Sequence, residues 1–172
     1  MDTILKNSVE CLSFRNPPVP SIFAPRSTMK FTSIATIVAL AFPTVTFATT
    51  VSYDQIYDEG STSLSQVVCS DGPNGLETKK FTTFDSLPKF PYIGGAQSIA
   101  GWNSPNCGTC WKLTYTNSKK VKKSINVLAI DHTDAGFNIA LEAMDELTGG
   151  LGKELGRINV TSTKVAASDC GL

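Results

Sequence analysis

The sequence predicts a mainly β domain folded as a closed, irregular barrel, with one well-signalled helix and two disulfides. Three observations point there. Short apolar stretches with strand character are punctuated by Gly and Pro at nearly every junction. A single later segment carries helical spacing, and the cysteines form an even set once the leader is set aside.

The elements follow in chain order. Val51 to Tyr57 and Gln66 to Ser70 read as short strands, and Thr83-Phe84-Asp85-Ser86-Leu87 as a turn before Pro88. Lys112 to Tyr115 and Ser124 to Ile130 read as longer strands, with Lys119-Lys120-Val121-Lys122-Lys123 as the solvated hairpin tip between them. For the helix, Asn138 can act as cap, and Ile139, Ala140, Ala143, Met144 and Leu147 repeat at helical spacing. Glu142, Asp145 and Glu146 then face water, and Gly149-Gly150 ends the helix. Arg157 to Ala166 reads as a terminal strand. Ile158 and Val160 share a face there, whereas Val165 falls out of phase, which predicts a bulge or twist.

Upstream of this domain, Met29-Lys30-Phe31 and the apolar stretch Ile34 to Phe42, closed by Pro43, have the charge and length of an export signal. The stretch is too short to span a membrane, which needs about 20 apolar residues. Ala48, with Thr46 two positions before it, predicts cleavage after Ala48. The organisation expected is therefore a signal at 29–48 and a folded domain at 49–172. Residues 1–28, with four prolines and no period, read as a non-native or disordered extension, Met29 being the expected start.

The 172 residues are 41% apolar and 17% charged, enough to bury a core and too little charge for a disordered chain. Length allows one domain or at most two, and excludes multi-domain enzymes and coiled coils. Lys plus Arg number 15 against 15 Asp plus Glu, so bulk charge does not attract nucleic acid. Nor does the sequence call for a membrane partner or a cofactor.

Cys11 lies in the upstream segment. The domain keeps Cys69, Cys107, Cys110 and Cys170, which predicts two disulfides in an exported chain. Three pairings are open. Joining Cys107 to Cys110 would leave the other two to close nearly the whole domain, so long-range closure is favoured. Cys107-Gly108-Thr109-Cys110 has the spacing of a thiol-exchange pair, but Trp111-Lys112-Leu113-Thr114-Tyr115 continues as a strand instead of a helix. Zinc is disfavoured because no second cysteine pair or suitable histidine accompanies it, and no metal site is expected.

Several of these segments together resemble the cerato-platanin family of secreted fungal proteins. They are Cys69-Ser70-Asp71-Gly72 with Gly75-Leu76, the block Ile99 to Trp111, Gly136-Phe137-Asn138, and the ending Cys170-Gly171-Leu172. The resemblance runs from about Val51 to the terminus. It implies a six-stranded double-psi β-barrel like the first domain of expansins, and the pairings Cys69–Cys107 and Cys110–Cys170. It implies a non-enzyme that binds chitin or N-acetylglucosamine oligomers and loosens cellulose, acts at the cell wall, self-assembles, and is recognised by a host plant receptor as an elicitor.

Residue chemistry places the glycan. A neutral sugar polymer calls for carboxylate and amide groups beside apolar or aromatic surface, and the segment Ile130 to Asn138 supplies both at the edge of a strand. The family's groove aspartate maps onto Asp131, and its Gly-Phe-Asn segment onto Gly136, Phe137 and Asn138; His132 lies between. Each has a plainer role available: Asp131 as an acceptor for loop amides, Asn138 as a cap, Phe137 as core, His132 as an exposed loop residue. Trp102 and Trp111 read mainly as packing residues, with contact to sugar as the alternative role for Trp102. Hydrolysis would need a second carboxylate facing Asp131, and only Asp134, in the same loop, and Asp71 offer themselves; no catalytic residue is therefore assigned. A surface-active, self-assembling protein without a glycan site is the remaining alternative. Asn159-Val160-Thr161 is a glycosylation sequon whose Asn159 points to water if Ile158 and Val160 point inward.

Overall fold

In the computed structural model, which describes residues 47–172, six strands form a closed barrel. They are β1 (Phe47–Tyr53), β2 (Ile93–Ala96), β3 (Cys110–Thr116), β4 (Lys122–His132), β5 (Phe137–Ile139) and β6 (Arg157–Val165). Around the barrel the order is β1-β5-β2-β4-β3-β6. Two neighbouring pairs, β1 with β5 and β2 with β4, are parallel, and the rest are antiparallel. Of the upstream segments, residues 1–28 and the export signal lie outside the described residues, except that Phe47 and Ala48 open β1 opposite Ser162 and Thr161.

Closure removes the sheet edges and lets a small domain bury side chains inside and out. Val51, Leu113, Ile139, Ile158 and Val160 are core residues. On β4, Val127, Leu128, Ala129 and Ile130 are all at most 1% exposed, so both of its faces are covered. The helix Leu141–Thr148 packs against β4, and the chain between β1 and β3 adds Tyr57, Leu64, Leu76 and Phe84 to the same core.

Two disulfides fasten the layers: Cys69 to Cys107, and Cys110 at the start of β3 to Cys170 near the C-terminus. Cys107 and Cys110 thus bond to different partners, which removes the thiol-exchange pair from consideration.

Several expectations give way to tertiary context. The first strand ends at Tyr53, because the Asp54 carboxylate accepts the Ile56 N–H and turns Gln55–Asp58 into a 3-10 helix. Gln66 to Ser70 is no strand: Leu64–Gln66 is a 3-10 turn capped by Ser63, and the Cys69 N–H goes to the Ile130 carbonyl of β4. The helix α1 spans Leu141–Thr148 and ends at Gly149 as expected, but Asn138 is a β5 residue and does not cap it. Its first N–H groups, from Leu141 and Glu142, are instead received by Asp58, 83 and 84 residues away. A second short helix, α2 (Gly152–Leu155), follows. No bulge occurs in β6, whose register with β3 is unbroken from Val160 to Val165. Val165 is half-buried on its own phase. The bulge lies instead where β4 meets β2, between Gly94 and Gly95.

Candidate functional site

That bulge determines where the predicted site residues go. Gly94 pairs with Ala129, but Gly95 pairs with Asp131, so Ile130 is skipped. An extra residue reverses the side-chain phase of the strand that carries it. Asp131 consequently shares a row with Gly95 and Asn138, while His132 shares the next row with Ala96 and Phe137. Adjacent rows face opposite sides of a sheet. The five residues proposed from sequence are therefore close in the sheet but divided between its two faces.

Asp131 is half-buried and fully engaged. Its Oδ1 accepts the Val68 N–H at 3.1 Å and the His132 N–H at 2.8 Å, and its Oδ2 accepts the Tyr57 hydroxyl at 3.1 Å. Burial, followed by the charge and hydrogen bond of Asp131, pushes the Tyr57 phenol far above its ordinary value, so it remains a donor. His132 bonds the Ile99 carbonyl through Nδ1 and approaches the exposed Asp134 carboxylate at 3.5 Å through Nε2. Asn138 accepts the Ser52 hydroxyl at 3.0 Å.

Gly136 has a backbone reason to be glycine. Its φ is +59°, and a Cβ there would lie 2.1 Å from the Thr50 carbonyl oxygen. Its N–H is received by Gln97 Oε1 at 3.1 Å, and its carbonyl by the Gln97 N–H at 2.9 Å. This double link holds the entry to β5 against the end of β2.

Phe137 and Trp111 meet edge to face at one end of the barrel, ring centres 5.4 Å apart. They border a cleft of about 360 Å³ completed by Thr49, Gln97, Ser98, Gly136, Ser162 and Ala48. No ionisable side chain is among these lining residues. The Ser98 hydroxyl is buried without a hydrogen-bond partner among the described residues. Periodicity could not find Gln97 and Ser98, which follow a glycine-containing strand of four residues. Of the sequence-predicted residues, Gly136 and Phe137 line this cleft; His132 lies in the row of Phe137; Asp131 and Asn138 lie on the other face.

The tryptophans part ways. Trp111 is half-buried, its indole N–H on Thr109 Oγ1 at 3.0 Å. Trp102, expected to pack, is 63% exposed. Its indole N–H donates to Asp71 Oδ1 at 2.6 Å, and that bond holds the Asp71 carboxyl below the usual carboxylate range. Among the described residues no group of three or more His, Cys, Asp or Glu is placed to hold a metal ion, and no helix is long and apolar enough to cross a membrane. Asn159 is exposed on β6, between buried Ile158 and Val160.

Comparison with known proteins returns one family consistently. Residues 49–172 match the family described as cerato-platanin. The heat-stable 19 kDa antigen of Coccidioides immitis (strain RS) is 48% identical over 150 residues, covering 84% of this chain and 99% of that protein. Cerato-platanin 1 of M. perniciosa superposes with a TM-score of 0.69 at 50% identity, over 71% of this chain and 98% of its own. The solution structure of the fungal elicitor cerato-platanin gives a TM-score of 0.61 at 39% identity, over 70% and 95%.

Proposed function

The chain belongs to the cerato-platanin family, and from that premise we propose that it is a secreted, non-catalytic protein that binds neutral glycans, chitin or N-acetylglucosamine oligomers first and cellulose second, at the fungal wall and as an elicitor of plant defence. The observation that carries the reading is the lining of the barrel-end cleft: two aromatic rings set among hydroxyl and amide groups, with no charged side chain. A pyranose offers apolar C–H faces and neutral hydroxyl or acetamide groups, and this lining matches both. Gln97 commits Oε1 to Gly136, which leaves its amide donors for a sugar oxygen, and the unpartnered Ser98 hydroxyl is a second polar contact.

In this reading Phe137 and Gly136 form the wall, His132 the neighbouring rim, and Asp131 and Asn138 the framework behind it. The engagements of the three candidate carboxylates support binding over hydrolysis. Asp131 serves three donors, Asp134 faces His132, and Asp71 holds Trp102. An acid/base pair would need two carboxyls facing one bond across a substrate.

The test is a titration of the secreted, disulfide-intact protein with N-acetylchitohexaose and cellohexaose, followed by amide and indole NMR shifts. Saturable shifts at Gln97, Gly136, Phe137 and the Trp111 indole are expected, with no new reducing ends after prolonged incubation. Absence of any saturable shift at millimolar oligomer, or sustained release of reducing ends, overturns the reading.

A further inference from the structure

An exposed indole is costly to leave in water and, when it is exposed, normally mobile. Trp102 is exposed but tethered at its edge, and its loop is fastened to a neighbouring one. Its N–H is tied to Asp71. The loop that carries it is tied to the Asp71 loop a second time, by Asn74 N–H to Asn103 Oδ1 at 3.0 Å and Asn74 Nδ2 to the Asn103 carbonyl at 2.9 Å. Gly72 (φ +78°) has no side chain where a Cβ would come within 3.1 Å of Trp102 Cζ2, so the turn fits under the edge of the ring. The Cys69–Cys107 disulfide joins the two loops again near their bases.

Both loops also root on the same end of β4. Val68 donates to Asp131, and the Ile99 carbonyl meets His132. Trp102 is three residues beyond Ile99, within about 11 Å of it even if fully extended. The platform thus stands at the cleft end of the barrel, since Ser98, next to Ile99, lines the cleft. The groups fastened to it and to its loop are polar: exposed Asp71 and Asn74 and half-buried Asn103. A flat ring edged by a carboxylate and amides suits a sugar.

We propose that Trp102 is a stacking platform for a second pyranose of the same glycan chain, and that Asp71 is the positioning residue that fixes its plane. This rests on the glycan-binding reading above. Fixing the ring beforehand removes the entropy that a free side chain would lose on binding.

The experiment is calorimetric titration of N-acetylchitohexaose and cellohexaose into the full disulfide-bonded protein and its variants Trp102→Ala, Trp102→Phe and Asp71→Asn. Removing one stacking contact is expected to weaken binding about tenfold, the equivalent of about 1.4 kcal/mol. Trp102→Phe should restore most of that affinity, and Asp71→Asn should weaken binding about threefold, with the melting temperature of each variant near that of the parent. If the parent binds and Trp102→Ala binds equally well, the platform is refuted while the glycan reading stands. If Trp102→Ala melts substantially lower and Trp102→Phe does not recover affinity, the residue is structural and the proposal fails. If the parent binds neither oligomer, both readings fail.

Discussion

Replacing Asp131 by alanine removes an acceptor from three donors at once: the backbone N–H groups of Val68 and His132 and the hydroxyl of Tyr57. Hydrogen bonds to a charged acceptor contribute about 1.5–3 kcal/mol each, and a half-buried site belongs at the lower end. The two amides regain water partly, but Tyr57 is only 5% exposed and its hydroxyl is stranded. A total loss of about 3 kcal/mol is expected for Asp131→Ala, about 1 kcal/mol for Tyr57→Phe, and a double variant less destabilised than the sum, because the shared bond is counted once. Guanidinium unfolding at pH 7 with both disulfides intact measures these values, and native-state hydrogen exchange should show the Val68 amide opening more readily in Asp131→Ala. An Asp131→Ala variant within about 0.5 kcal/mol of the parent, or strict additivity with Tyr57→Phe, would refute the anchoring role.

Three further outcomes are expected. The folded state holds the Tyr57 proton beyond the ordinary phenol range near pH 10 while the unfolded chain releases it there; stability is therefore complete below about pH 10 and falls as pH rises above it. Phenolate absorbance should show one of the four tyrosines failing to titrate until the protein unfolds, and Tyr57→Phe should abolish that behaviour. Gly136→Ala places a Cβ 2.1 Å from the Thr50 carbonyl at a positive φ and should cost at least about 3 kcal/mol, read as a large fall in melting temperature; a small fall would contradict the close approach of β1 and β5. Secretion from a eukaryotic host should add one endoglycosidase-sensitive glycan that Asn159→Gln removes. An unmodified Asn159-containing peptide as the dominant species in mass spectrometry would exclude that site.

Patterns that depend on near neighbours were legible in the chain. Strand-forming runs marked β3, β4 and β6, and helical spacing with a terminal Gly-Gly marked α1; a hairpin was expected at Lys119 to Lys123, but Lys122 and Lys123 already belong to β4 and the turn lies between Asn117 and Val121. β2 escaped notice because Gly94 and Gly95 have little strand propensity and are there for close approach: a Cβ on Gly94 would lie 2.3 Å from the Asn138 carbonyl oxygen. β5 is three residues long, too short for periodicity to register. The resemblance to a known family supplied the strand count of the barrel and the cysteine partners that spacing alone left open.

What the amino-acid order determined by itself was thus the inventory: a β-rich, cystine-stabilised domain with carboxylate, amide and aromatic groups gathered between Asp131 and Asn138. Tertiary structure alone decided how those groups are arranged. One skipped residue opposite Gly94–Gly95 sets which face Asp131 takes and which His132 takes, Asp58 caps a helix from 83 residues away, and Asp71 accepts the indole N–H of Trp102 from 31 residues away. Each of these is a contact between distant segments, whose geometry exists only once the barrel has closed and so leaves no trace in local periodicity.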